Sequence, residues 1–116
     1  MRVYNFVLII IFPLIFFRSL YKSLKFGENP KRILEKFSFY GGKKSSKPVI
    51  LIHAVSVGEV LASRKFVEEI KKRFPDHQTL ITCSTQTGSK TIKRLYGDSV
   101  LHQYMPFDLK FCIKRF

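Results

Sequence analysis

The sequence predicts an α/β fold, a parallel sheet of βα units behind an apolar N-terminal helix. Three observations carry this. Pro48 to Glu59 opens with the unbroken apolar run Val49-Ile50-Leu51-Ile52 and ends in the small-residue turn Ser56-Val57-Gly58 before a helical pattern. That is the signature of a buried parallel strand feeding a βα loop. Two further strand-then-helix units follow at similar spacing. Ahead of them, Val3 to Phe17 is almost wholly apolar, interrupted only by Asn5 and Pro13.

The N-terminal segment comes first in the chain. Arg2 precedes it, and Arg18, Lys22, Lys25, Lys31 and Arg32 follow. Fifteen apolar residues fall short of the roughly 20 that cross a bilayer as a helix. The run extends through Leu20, Tyr21 and Leu24 if Arg18 and Lys22 snorkel. No small-x-small cleavage pattern follows Phe17, so an uncleaved anchor over residues 1–26 is expected, its basic side cytoplasmic. It crosses the membrane or lies in the interface; length and hydropathy favour crossing.

Residues 27–47 read as a basic loop with a short helix. Gly27-Glu28-Asn29-Pro30 is a turn, Pro30 suits a first helical position, and Lys31 to Phe37 follows. Tyr40 to Lys47 is Gly-, Ser- and Lys-rich, the composition of a flexible basic linker. Glu35 stands inside this stretch. One carboxylate among lysines is ordinarily a surface ion pair of little energetic weight.

From residue 48 to 116 the order is βαβαβα, a Rossmann-like half-domain. Val57 to Phe74 is a helix whose Val60, Val67, Ile70 and Phe74 share one face. Thr79 to Cys83 is the second strand, Ser84 to Gly88 a small polar turn, and Ser89 to Tyr96 a helix closed by Gly97. Val100 to Tyr104 is the third strand, after which Asp108 is placed to cap a last helix. Three strands are few for a sheet buried on both faces, so the half-domain is expected to be truncated at its C-terminus.

The 21 Lys and Arg outweigh 8 Asp and Glu, a net charge of +13 that calls for an anionic partner. Cys83 and Cys112 form no metal-ligand pattern and read as small buried hydrophobes; no metal is expected. Ser56-Val57-Gly58-Glu59 fits a capping box, and the same turn offers backbone to an anion, as does Ser84-Thr85 one strand over. His53 reads as a hydrogen-bonded structural histidine. Neither a G-x-G-x-x-G fingerprint nor a P-loop is present.

The blocks E-K-F-S-F-Y, I-H-A-V-S-V-G-E-V, S-T-Q-T-G-S and M-P-F-D together resemble the N-terminal half of 3-deoxy-D-manno-octulosonic acid (Kdo) transferases. The resemblance implies the first half of a GT-B N-terminal domain and membership of an enzyme that moves Kdo from CMP-Kdo to the lipid A precursor. It also implies the cytoplasmic face of the cell inner membrane. CMP-Kdo is then a substrate held mostly by a C-terminal domain missing here, and no cofactor is expected. The family's Glu-Arg-x-Gly motif places its general base at Glu35, with Lys36 where arginine is usual and Ser38 where glycine is usual. Ser56, Gly58, Ser84, Thr85 and Lys36 are the implied acceptor-side contacts. Lysines, arginines, Phe37, Phe39 and Tyr40 suit an anionic, acylated acceptor, so the charge is assigned to lipid and not to nucleic acid. Two other readings are an inactive truncated remnant that binds anionic lipid, and an unrelated basic, membrane-tethered nucleotide- or nucleic-acid-binding domain.

Overall fold

The computed structural model describes residues 2–40 and 45–116; half of the basic linker, Gly41 to Lys44, lies outside them. The chain divides into two compact units, one of residues 1–40 with 106–116 and one of residues 41–105.

The first unit is built on α1 (Arg2–Lys25). Apolar residues surround this helix, and only one side of it is packed. Leu8, Phe12, Phe16 and Leu20, one turn apart, lie against a core of Ile33, Phe37, Leu109 and Cys112. Phe37 is the centre of that core, edge-on to Phe12 and Phe107 at 5.3 Å between ring centres in both cases. It is therefore buried protein core and not a lipid-facing ring, while Phe39 remains half-exposed beneath the Arg115 guanidinium, 4.2 Å from its ring centre. The short helix expected after Pro30 is present as a 3-10 helix, Pro30–Phe37, capped by the Asn29 side chain, which accepts from the Lys31 N–H. The last helix, α5 (Lys110–Arg115), begins after Leu109 and not at Asp108. Asp108 is no cap, because its carboxylate accepts instead from the Tyr4 hydroxyl at 2.7 Å.

The second unit holds three parallel strands, β1 (Val49–His53), β2 (Gln78–Cys83) and β3 (Leu101–Tyr104), side by side in chain order. The partial Rossmann-like sheet predicted from the sequence is thus observed. Between β1 and β2 the expected single helix is two, α2 (Val57–Ala62) and α3 (Arg64–Arg73). The break is at Ser63, whose hydroxyl donates to the Val60 carbonyl at 2.8 Å and takes up an acceptor that a continuous helix would use for Arg64. Val60 and Val67 are buried as predicted, but Phe74 has left the helix at φ −126° and is half-exposed against His77. α4 (Gln86–Tyr96) joins β2 to β3, starting earlier than the sequence suggested. Helices α2 and α4 pack together over one face of the sheet, enclosing Ala54, Val60, Val67, Ile81, Cys83, Ile92, Val100 and Tyr104.

The opposite face is different. Leu51, Leu80 and Leu101 stand in direct cross-strand register there. Leu51 and Leu101 are 45% and 40% exposed, so β1 is a half-exposed edge strand and not a strand buried on both faces. Both crossovers cover the same side, which leaves that row bare within the described residues.

Candidate functional site

Glu35 sits on the 3-10 helix of the first unit, and its surroundings are ordered by spacing. Glu28, Arg32 and Glu35 lie four and three residues apart, which brings all three side chains onto one side of a helical turn. Arg32 Nε and Nη2 donate to the two oxygens of Glu35 at 2.9 and 3.1 Å, a forked pair, and Nη1 donates to Glu28 Oε1 at 3.0 Å. The side chains of Arg32, Glu28 and Glu35 are only 13%, 10% and 20% exposed. Glu35 is therefore not the solvated surface ion pair that its lysine-rich neighbourhood suggests. Its carboxylate is oriented by a rigid fork in partial isolation from water. The sequence carried a signal for this, the E-x-x-x-R-x-x-E spacing.

The 3-10 helix ends at Ser38, with φ 60° and ψ 28°, the one non-glycine residue of positive φ among the described residues. This is the position where the Kdo transferase resemblance expects glycine, and the backbone indeed needs the left-handed conformation there. Ser38 is buried, its hydroxyl donates to the Cys112 carbonyl, and its own carbonyl accepts from Arg115 Nε at 3.0 Å. The carbonyl of Lys36 accepts from the Phe107 N–H at 2.8 Å, and its ammonium lies 5.9 Å from the Phe107 ring centre. Lys36 and Ser38, which follow Glu35 in the turn, are thus tied to residues more than 70 positions later.

Ser56, Gly58, Ser84 and Thr85 belong to the second unit, at the carboxyl ends of the adjacent strands β1 and β2. The strands are locked in register there, with the Ala54 N–H donating to the Thr82 carbonyl at 2.9 Å. The expected capping box is only half made. Ser56 occupies the N-cap of α2 but makes no side-chain cap bond, while Glu59 Oε2 accepts from the Val55 N–H at 2.9 Å, one residue further out than the motif requires. A side chain at Gly58 would meet nothing closer than Ser56 Oγ at 4.0 Å, so the backbone there is open to a ligand's approach. At the second turn Thr85, not Ser84, is the cap: Thr85 Oγ1 accepts from the Gly88 N–H at 3.1 Å. Gly88 is required by this contact, since a β-carbon would fall 2.9 Å from Thr85 Oγ1.

His53 is hydrogen-bonded as expected, Nδ1 to Thr82 Oγ1 at 3.0 Å. Sequence reasoning overlooked His102. Its Nδ1 donates to the Ile81 carbonyl at 2.8 Å, which leaves Nε2 facing Ser89 Oγ at 2.8 Å and pins β3 to α4. Cys83 and Cys112 are both buried thiols; Cys83 Sγ donates to the Thr85 carbonyl at 3.4 Å, and burial pushes the Cys112 thiol up from its ordinary value. No cluster of His, Cys, Asp or Glu suited to a metal ion occurs among the described residues.

Comparison with known proteins agrees with the geometry. Residues 31–116 match the family model described as 3-deoxy-D-manno-octulosonic-acid transferase (kdotransferase). A 3-deoxy-D-manno-octulosonic acid transferase of Haemophilus influenzae is 40% identical over 114 residues, 97% of this chain and 27% of the relative. One from Rickettsia bellii is 31% identical over 108 residues, 93% of this chain and 26% of the relative. A probable mitochondrial transferase of the same name from Arabidopsis thaliana is 30% identical over 104 residues, 90% of this chain and 23% of the relative. No solved structure gives a significant match. The chain spans about a quarter of the length of these relatives. Apolar N-terminal helix, parallel half-sheet and the matched model agree: the chain belongs to the 3-deoxy-D-manno-octulosonic acid transferase family of glycosyltransferases.

Proposed function

We propose that this chain is the acceptor-side part of a membrane-associated glycosyltransferase that moves Kdo from CMP-Kdo to the lipid A precursor in lipopolysaccharide core synthesis, at the cytoplasmic face of the inner membrane. The observation that carries the reading is Glu35, its carboxylate aligned by the Arg32 fork on a turn that ends in a left-handed residue.

The chemistry asks for such a group. A sugar hydroxyl is a weak nucleophile until its proton is accepted as the new bond forms. Here the acceptor oxygen attacks the anomeric carbon of Kdo, the bond to the CMP phosphate oxygen breaks, CMP departs with the electron pair, and Glu35 takes the hydroxyl proton. A carboxylate offers about four acceptor directions, so a forked arginine fixes its orientation without using it up. Ser56, Gly58, Ser84, Thr85 and Lys36 are proposed acceptor contacts; Gly58 contributes open backbone, and the lysines suit acceptor phosphates. The chain alone, on this reading, does not turn over, because CMP-Kdo is held by a donor-binding domain outside it.

The test combines this chain with the donor-binding domain of a family member and follows Kdo transfer to lipid A precursor. Glu35→Gln keeps the shape of the side chain and cannot take a proton. It is expected to lower kcat by about 100- to 10,000-fold. Restored transfer that the substitution leaves intact refutes Glu35 as the base. Failure of any combination to transfer favours a remnant that binds anionic lipid only.

A further inference from the structure

The two sides of α1 have different neighbours, and the difference fixes how the helix can sit in a bilayer. The half-buried and buried positions Leu8, Phe12, Ile15, Phe16, Leu20 and Ser23 form one stripe down the helix. That stripe is packed on protein from end to end. Tyr4 donates to Asp108 near the start, Phe12 and Phe16 lie 5.3 and 6.0 Å from the Phe37 ring, and Ser23 near the end is 1% exposed. From Tyr4 to Ser23 is about 28 Å of helix, close to the whole hydrocarbon thickness.

The opposite stripe is open among the described residues, apart from the ring contact of Phe17 with its neighbour Phe16. Val3, Phe6, Ile10, Leu14, Phe17, Tyr21 and Leu24 recur every three or four residues and are 63–77% exposed. Every one is apolar or aromatic. A helix crossing the bilayer would carry its packed side through the hydrocarbon too. With it would go Glu28 in the turn before the 3-10 helix, Arg32 and Glu35 on that helix, Asp108, and Lys110, Lys114 and Arg115 on α5. Arg32 pairs with both glutamates, but that trio keeps one negative charge in excess and Lys110 and Lys114 are exposed cations, which the hydrocarbon excludes.

We propose that α1 does not cross the membrane but lies in the plane of one leaflet, its Val3–Leu24 stripe sunk to the acyl boundary of an anionic phospholipid surface and its packed stripe facing the protein. This rests on the membrane association proposed above and goes beyond it. A second element joins the same surface. Phe111 of α5, 53% exposed, and Ile9 of α1 line an apolar cleft of about 600 Å³ edged by Lys110 and Lys114. Apolar side chains flanked by Arg18, Lys22, Lys25, Lys110 and Lys114 are the composition of an interfacial, anion-seeking surface. In this orientation the Glu35 turn, packed behind the helix, is held at headgroup depth beside the leaflet.

The chain has no tryptophan, so single replacements report depth without background. Phe6→Trp, Leu14→Trp and Tyr21→Trp sample the exposed stripe at exposed positions that fold does not depend on; Phe12→Trp samples the packed one. Each full chain is bound to vesicles of two parts phosphatidylcholine to one part phosphatidylglycerol, with bromines near the headgroup end or near the bilayer centre of the acyl chains. The in-plane helix gives equal quenching of the three exposed-stripe variants, stronger from the shallow bromines, and little quenching of Phe12→Trp. Leu14→Trp quenched chiefly by the deep bromines, with Phe6→Trp and Tyr21→Trp quenched by the shallow ones, describes a crossing helix. That result overturns the in-plane proposal and leaves membrane association standing. Absence of quenching in all four variants overturns membrane association itself.

Discussion

Ser38 permits a sharp test because strain and bonding at this residue can be separated. Its left-handed backbone costs a residue with a β-carbon about 1–2 kcal/mol relative to a right-handed one. Its hydroxyl bond to the Cys112 carbonyl returns about 1 kcal/mol. That carbonyl also accepts from the Phe116 N–H at 3.0 Å, so losing the serine does not orphan it. Ser38→Ala keeps the strain and loses the bond, and is expected to destabilise by about 1 kcal/mol. Ser38→Gly loses the same bond, is released from the strain, and gives up about 0.4–1 kcal/mol to the looser unfolded chain. The two changes nearly cancel, so glycine should match the native serine and exceed alanine by roughly 1 kcal/mol. For a domain of this size that difference moves a thermal midpoint by about 4–8 °C, measurable by circular dichroism in mild detergent. If alanine equals or exceeds glycine, the left-handed strain is not what selects the residue here.

Three further expectations follow from the packing. Thr85→Ala should cost about 1 kcal/mol by removing the cap of α4. Gly88→Ala, which would gain up to about 1 kcal/mol in an unconstrained helix, should gain nothing because its β-carbon displaces Thr85 Oγ1; both are read from thermal unfolding. Burial holds the Cys112 thiol above its ordinary value of 9.0, which favours the protonated form in the folded chain. The stabilising contribution of the neutral thiol is therefore whole below pH 9.0 and is lost as pH rises through the higher folded value. Because both cysteines are buried, thiol labelling should find neither reactive at neutral pH until denaturant is added, and a Cys112→Ser variant should have the flatter alkaline stability profile.

Periodicity and turn chemistry made the order of elements legible. The apolar run of Val49–Ile52, the polar turn before α4 and the apolar N-terminus all appear where the residues place them. What stayed hidden depended on partners far away in sequence. Asp108 has the composition of a cap, yet the Tyr4 hydroxyl offers it a stronger partner than its own helix. Phe74 keeps the right spacing, but the backbone turns before reaching it. Ser63 breaks its helix through a hydroxyl that a burial pattern does not register. Glu35 was legible as a position only through the family resemblance, whereas its Arg32 fork was open to plain spacing. Ser38 stands left-handed at the position where the resemblance has glycine, a correspondence of backbone geometry that needs no distant partner to be read.

The tie between Tyr4 and Asp108 closes a separation of 104 residues. The first unit is therefore discontinuous in time as well as in sequence. During synthesis α1 emerges first, and the 3-10 helix that brings Ile33 and Phe37 to its packed stripe follows at once. Phe107, Leu109 and Cys112, which complete that core, follow only after the entire sheet-bearing unit has been made. At roughly 5–20 residues per second, the interval between Lys25 and Asp108 lasts about 4–17 s. Through that interval α1 has the 3-10 helix to pack on, while its core still lacks Leu109 and Cys112. Residues 41–105, contiguous and with their own core, can fold meanwhile. Docking of α5 onto α1 and the 3-10 helix is then the late, high-contact-order step, and it is the step that completes the turn bearing Glu35.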